Sequence, residues 1–349
     1  MERDMQERWK RRPDGSTWGD FGAQDQIGRL NLLTEEKVLE GIREVKVGKV
    51  FCLSLPLDMP GGSVLNARRA PPSLKPTYKE GRPYMNVQMG DGDATVMDVI
   101  CDDQVTLSLQ YSTQWDGLSH IGALFDVDGE GHEQRVYYNG YKGGEHVLGG
   151  EAEHDAEGCR HCASGALRLG IEHYAVKGMQ GHGVMVDLAR HFGPGRTLVG
   201  YEKLMQVIAA DRVQITRGDM LVLRTGFAEA VMQMDGSPDH DTLNNAGAVL
   251  DGSDEQLLGW ITSSGIATIC SDNYAVEAYP GLTSGPRRSV LPLHHHCLFK
   301  LGVPLAELWY LKDLADWLYA HGRNAFLLTA PPLRLPGAVG SPVTPIATV

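Results

Sequence analysis

Gly183-Val184-Met185-Val186-Asp187-Leu188 is almost wholly apolar over the length of a strand, and a strand of that composition is buried on both faces. The pattern recurs downstream. Asp219–Arg224 reads as a second strand, closed by Thr225-Gly226. Ile266–Cys270 reads as a third, ending at Ser271-Asp272-Asn273, and Ala325–Leu328 as a late one. Tyr201–Ala210 and Asp254–Ser263 have helical periodicity and lie between them. Strands alternating with helices predict an α/β fold.

Working outward, Leu305–His321 reads as one long amphipathic helix, which would carry Glu307. Lys49–Leu57 has strand composition. Val105-Thr106-Leu107-Ser108-Leu109 alternates with period two, as a half-buried strand should. Thr34 is placed to cap a helix opening at Glu35, with Lys37 where a capping box would have an acid or amide. Residues 59–92, rich in Pro and Gly, and 122–165, rich in Gly, His, Asp and Glu, read as loops, the second as a lid. Residues 1–30 are polar with Trp9, Trp18 and Phe21 spaced through them, and predict an arm that docks aromatics on the body. No internal repeat or low-complexity linker divides the rest, so the expected organisation is an arm (1–30) and one intertwined domain (31–349).

Composition excludes several classes. The chain has 349 residues, with 32 Lys and Arg against 44 Asp and Glu, a formal charge of −12. Such a surface repels phosphate backbones, so no nucleic-acid partner is expected. Hydrophobic residues make up 42%, enough for a sizeable core. No run approaches the roughly 20 apolar residues of a membrane span. The charged start Met1-Glu2-Arg3-Asp4 is unlike a secretory signal, so the expected location is cytoplasmic, with no membrane partner. Of the six cysteines, most sit among aliphatic residues as small buried hydrophobes. Cys159-Arg160-His161-Cys162, with His154 nearby, is half of a zinc knuckle with no second half. The reading preferred over a zinc or redox site is an insertion loop with two reduced thiols.

Three stretches could carry chemistry. In Gln110-Tyr111-Ser112-Thr113-Gln114-Trp115-Asp116-Gly117-Leu118-Ser119-His120, an extended backbone puts Gln114 and Asp116 on one face. A carboxylate, an imidazole and two amide oxygens can together bind a divalent cation. The plain alternative is a turn with solvent-facing polar groups. In Leu291-Pro292-Leu293-His294-His295-His296, adjacent side chains diverge, so one or two imidazoles at most reach a common point. Exposed imidazoles at a helix start are the alternative. In Ser271-Asp272-Asn273-Tyr274-Ala275-Val276-Glu277, either carboxylate could orient an imidazole, line a pocket, or simply cap a turn. HExxH, GxSxG and the phosphate-binding loop are absent.

Together these residues resemble the cyclase family, the group that includes bacterial kynurenine formamidases and isatin hydrolase. The resemblance runs through Trp18-Gly19, Gly28–Thr34, Gln110–His120, Tyr138-Asn139-Gly140-Tyr141, Gly183–Asp187, Arg224-Thr225-Gly226, Ser271–Glu277, Leu291–Glu307 and Gly340-Ser341-Pro342. It implies a single domain with a mixed, barrel-like sheet and flanking helices of the swivelling β/β/α type. The family's metal motif is HxGTHxDxPxH. Here Gln110 and Gln114 stand at its first two histidines, Asp116 at its aspartate, and His120 at its last histidine, the implied acid/base group. His294 and Glu307 match the second metal-facing pair. The QxxxQxD…H form is similar to that of trans-dienelactone hydrolase, a zinc-dependent relative acting on a lactone.

The resemblance implies a metal-dependent hydrolase of a small cyclic or acyl substrate, an amide or lactone. Gln110, Gln114, Asp116 and His294 are its metal ligands, and His120 and Glu307 its catalytic pair. Trp115, Tyr138, His182 and Asp272 are expected around the substrate. His182 stands where relatives often carry arginine. Amide oxygens bind zinc more weakly than imidazole, so manganese, magnesium or calcium compete with zinc, and a metal-free site is open. The competing expectation is a metal-independent cyclase, dehydratase or isomerase using the same pocket. Arg68, Arg69 and Arg135 are cations that could bind a substrate carboxylate. A homodimer or homotetramer is the implied assembly.

Overall fold

The computed structural model describes residues 7–149, 164–281, 285 and 287–349. Cys159, Cys162 and His154 lie outside the described residues.

The main sheet has nine strands: β1 (Val50–Cys52), β2 (Gln114–Asp116), β3 (Gln180–Asp187), β4 (Met220–Arg224), β5 (Thr268–Ser271), β6 (Leu305–Glu307), β7 (Ala325–Thr329), β8 (Gly340–Pro342) and β9 (Ile346–Thr348). Their order across the sheet is β1-β9-β7-β3-β4-β5-β6-β2-β8. The centre, β3-β4-β5-β6, is parallel, with Gly183 level with Met220, Met220 with Thr268, and Ile269 with Leu305. Antiparallel strands extend it on both sides. β7, β9 and β1 follow β3, while β2 and β8 follow β6. This is the mixed α/β architecture expected, with helices packed around one sheet.

β4 and β5 are buried nearly throughout, which is why they read as unbroken apolar runs. Helix α1 (Glu35–Arg43), capped by Thr34, packs on β3 and β7. Helices α2 (Tyr201–Ala210) and α3 (Glu255–Ser264) carry the parallel crossovers, and α4 (Lys312–Ala320) precedes β7. α3 begins on Asp254, whose carboxylate accepts from the Gln256 and Leu257 amides. It ends against Arg29, which donates to the carbonyls of Ile261 (2.8 Å) and Thr262 (2.7 Å). The N-terminal residues lie on the body: Trp18 is fully buried and its indole N–H donates to the Phe299 carbonyl at 2.7 Å. Gly28 has φ +56°, and a Cβ there would come within 2.1 Å of the Gly302 carbonyl, so the close approach of these segments requires glycine.

Two local expectations are corrected. Leu305–His321 is not one helix. Leu305–Glu307 is strand β6, buried in the sheet between β5 and β2, and the helix begins at Lys312. A short apolar run buried on both sides has no periodicity that separates strand from helix. Val105–Leu109 is not a half-buried strand: the strand is Asp103–Thr106, exposed throughout and paired with Ser73–Pro76 in a ribbon built partly from the 59–92 segment, and the half-buried residues 107–109 lie outside it. The two-residue ladders Tyr78–Lys79/Arg82–Pro83 and Val87–Gln88/Val99–Ile100 continue that ribbon. No helix among the described residues is long and apolar enough to cross a membrane.

Candidate metal centre

β2 and β6 assemble the centre. They are antiparallel, with Gln114 opposite Glu307 and Asp116 opposite Leu305. Opposed residues share a face and alternate residues return to it, so Gln114, Asp116 and Glu307 project together. The intervening Trp115 projects to the other face. From outside the sheet His294 joins them. It ends the short helix Pro292–His294, which runs directly into the π-helix His295–Leu301. His294 Nε2 lies 3.3 Å from Glu307 Oε1 and 3.8 Å from Asp116 Oδ2. One ligand atom each from Asp116, His294 and Glu307 fall within 4.8 Å of one another, and all three residues are buried.

Among the described residues, nothing saturates this cluster. Both carboxylate oxygens of Asp116 and Oε1 of Gln114 are buried without a hydrogen-bond partner. Orphaned acceptors are costly in a dry interior, and those of Asp116, gathered with His294 and Glu307, suit a cation. The donor set of two carboxylates, one imidazole and an amide oxygen is hard and anionic, and fits a divalent ion. Gln114 also uses its amide N–H to hold Glu307 Oε2 at 3.2 Å.

Glu277 supports His294 from behind. Its Oε1 accepts from His294 Nδ1 (2.8 Å) and from the His294 amide (2.9 Å), and its Oε2 from the Leu293 amide (2.8 Å). With Nδ1 committed to Glu277, Nε2 is left to face the cluster. Burial alone would raise Asp116, but the neighbouring His120, His294 and Arg69 outweigh it and leave its pKa lowered. For His294, burial works to lower the pKa and is overcome by Asp116, Glu277 and Glu307, which hold it well above the ordinary imidazole range. His120 Nε2 stands 3.8 Å from Asp116 Oδ1, with its side chain 20% exposed. It is the member of the group with access to solvent.

The structure thus brings Gln114, Asp116, His120, His294 and Glu307 together. Gln110 lies beside them: a Cβ on Gly340, which pairs with Asp116, would meet its amide nitrogen at 2.5 Å. The four residues expected around the substrate are placed elsewhere. Trp115 is core: it packs edge-on against Trp309 (5.5 Å), and its N–H donates to the Ala330 carbonyl. Tyr138 is buried against Gly302 and near Asp25, in the N-terminal packing. His182 lies on β3, four strands from β2, roughly 19 Å along the sheet at ~4.8 Å per strand. There it bonds Asp219 (2.9 Å) beside Lys37 and Glu40. Asp272 accepts the Thr225 (2.7 Å) and Gly226 (2.9 Å) amides, so it ties the β5 end to the β4 end. Burial first, then the Glu229 charge, push its pKa up to about 7. Of the two acids in Ser271–Glu277, Glu277 is the one that reaches the imidazole. Residue spacing could not choose between them, because the intervening Ala275 and Val276 take left-handed backbone angles (φ +70° and +57°).

His295 and His296 turn away from the cluster, toward Phe299 and the Thr262 hydroxyl respectively. Among the described cysteines, Cys270 and Cys297 are buried, and burial pushes both thiols far up, so they are inert packing.

The family model named Cyclase matches residues 51–278, well over half of the chain. The chain belongs to the cyclase family. A crystal structure described as a novel cyclase superposes with a TM-score of 0.74 at 30% identity, covering 96% of this chain and 97% of that one. Isatin hydrolase A from Labrenzia aggregata, bound to benzyl benzoate, is similar at a TM-score of 0.55 and 14% identity, covering 90% and 98%. Isatin hydrolase A from Ralstonia solanacearum is similar at 0.53 and 13%, covering 86% and 91%. These two share the fold. No curated protein sequence matches the chain.

Proposed function

We propose that this cyclase-family protein is a metal-dependent hydrolase of a small cyclic or acyl compound with an amide or lactone bond. The observation that carries the reading is the convergence of Asp116, His294 and Glu307 in a buried space where both Asp116 oxygens lack a hydrogen-bond partner, with Gln114 bonded to Glu307 beside them. Asp116, His294 and Glu307 would hold the ion, with Gln114 contributing its amide oxygen. The bound ion would supply Lewis acidity, polarising the scissile carbonyl and lowering the pKa of water.

The side chains account for the rest. Glu277 locks the His294 ring so that Nε2 stays directed at the cluster. Gln114 holds Glu307 in place. His120 is close enough to Asp116 to be steered by its charge and open enough to meet a substrate. It takes the proton from the attacking water and returns it to the leaving nitrogen or oxygen. Asp116 carries negative charge that stabilises the imidazolium formed between those two steps.

One observation favours a second reading. The pairing of His120 with Asp116 is a proton-transfer unit in its own right, so a metal-independent cyclase, dehydratase or isomerase could use the same pocket. The two are separated by metal analysis of protein prepared without added metal, combined with Asp116→Ala. The hydrolase reading expects bound divalent ion, and loss of both ion and turnover in the variant. Unchanged metal content and unchanged turnover in Asp116→Ala would refute it.

A further inference from the structure

The cluster gathers three carboxylates, Asp116, Glu277 and Glu307, around one imidazole. A divalent ion offsets two of those charges, so the centre by itself still repels an anion. One cation stands at its edge. Arg69 is partly buried in a small cleft with Asn66, Gln110, Tyr111, Tyr274 and Leu308, the last adjacent in sequence to Glu307. Its Nη1 donates to the Gln110 carbonyl at 2.8 Å, and its guanidinium lies 5.9 Å from the Tyr274 ring centroid. The Tyr274 hydroxyl in turn accepts from Asn66 Nδ2 at 3.5 Å. Among the described residues no carboxylate pairs with Arg69, although its charge is felt at Asp116. Arg68 is exposed, and Arg135 sits in the separate hairpin 134–136, so neither shares this position.

A guanidinium keeps five donors in a fixed fork, and here one bond to a carbonyl leaves most of them unused. A half-buried cation with open donors beside a reaction centre is a recognition group for a planar anion.

We propose that Arg69 binds a carboxylate of the substrate, and that the substrate of this site is therefore an acyl compound carrying an anionic group apart from its scissile bond. The inference rests on the hydrolase reading for the nature of that bond, but not for the anion. Asn66 and Tyr274 hold the aromatic wall of the cleft in place, and the Gln110 carbonyl fixes the direction of the fork. Arg69 is thus a specificity residue, and it offsets the negative field of the centre as the anion arrives.

The test uses monomethyl glutarate and methyl pentanoate, two esters of the same chain length of which only the first carries a free carboxylate. Calorimetric binding to the zinc-loaded protein should favour monomethyl glutarate by at least tenfold, about 1.4 kcal/mol. Arg69→Met should abolish that preference while leaving the affinity for methyl pentanoate unchanged, and Arg69→Lys should restore part of it. A preference that survives Arg69→Met, equal binding of the two probes to the parent, or no binding of either would overturn the proposal. Binding of monomethyl glutarate that falls with Arg69→Met in zinc-free protein still supports it. Failure of zinc to bind at all counts against the metal reading alone.

Discussion

Glu277→Gln isolates the support of the metal centre from the centre itself. The carboxylate accepts three hydrogen bonds, two from His294 and one from the Leu293 amide, at 2.8–2.9 Å. A glutamine of the same shape can turn its carbonyl toward His294 and keep both of those bonds. Its NH2 must then face the Leu293 N–H, donor against donor. One charge-assisted bond is lost, worth about 1.5–3 kcal/mol. The neutral amide also draws less on the Nδ1 proton, so Nε2 becomes a weaker donor to an ion. Changes in the support of a ligating histidine typically cost ~10–100-fold in metal affinity, about 1.4–2.8 kcal/mol. The two routes agree at roughly 2 kcal/mol. In the metal-free protein the same substitution removes one of three clustered negative charges, which offsets part of the structural loss. Glu277→Gln should therefore lower the zinc-bound melting temperature more than the metal-free one. Chelator-competition titration with zinc and thermal melts with and without the ion measure both quantities. A zinc affinity within threefold of the parent, in a variant that still folds, would refute the assignment of His294 as a ligand positioned by Glu277.

Three further outcomes follow from the same geometry. Gln114→His exchanges a weak amide donor for imidazole beside Glu307, where Oε1 is buried without a partner, so zinc affinity should rise at least tenfold over manganese; an unchanged zinc-to-manganese ratio in competition assays would show that Gln114 is no ligand. His296 is held near pKa 4 by burial and by Lys300, below its unfolded value, so its contribution is complete above about pH 6.5 and is lost as pH falls toward 4. That amounts to about 3 kcal/mol, and Gln at 296 should flatten the pH dependence of urea stability over that window, whereas superimposable profiles would contradict it. Asp219→Ala removes a buried carboxylate bonded to Lys37 (2.8 Å), His182 (2.9 Å) and the Thr216 amide (2.6 Å), and should cost about 3–5 kcal/mol of stability; metal content should not change, and a variant that lost its ion would tie this cluster to the centre.

Much of this was written in local chemistry. The buried parallel strands declared themselves because a strand covered on both faces carries mostly apolar residues, and β3, β4 and β5, with the antiparallel β7, fall within three residues of where composition puts them. Helices α2 and α3 likewise carry their own periodicity and, for α3, its aspartate cap. The alternation of Gln114 and Asp116 on an extended backbone was equally plain. Expectations failed where burial came from partners distant in the chain. β6 reads as helix because nothing in Leu305-Ala306-Glu307 says that β5 and β2 flank it. Trp115 reads as pocket because its neighbours are polar, yet strand geometry sends it to the opposite face.

The order of residues alone determined that this is an α/β chain with a carboxylate, an imidazole and amides available for a cation, because strand burial and side-chain alternation are set within a few residues. Tertiary structure decided which of them meet. The pairing of β2 with β6 brings Gln114 and Asp116 to Glu307 across 191 residues or more. The left-handed turn at Ala275-Val276 delivers Glu277, and not Asp272, to His294. Arg69 reaches the cleft only because the long 59–70 segment folds back on Gln110. Such convergences depend on long-range register, to which spacing along the chain is blind.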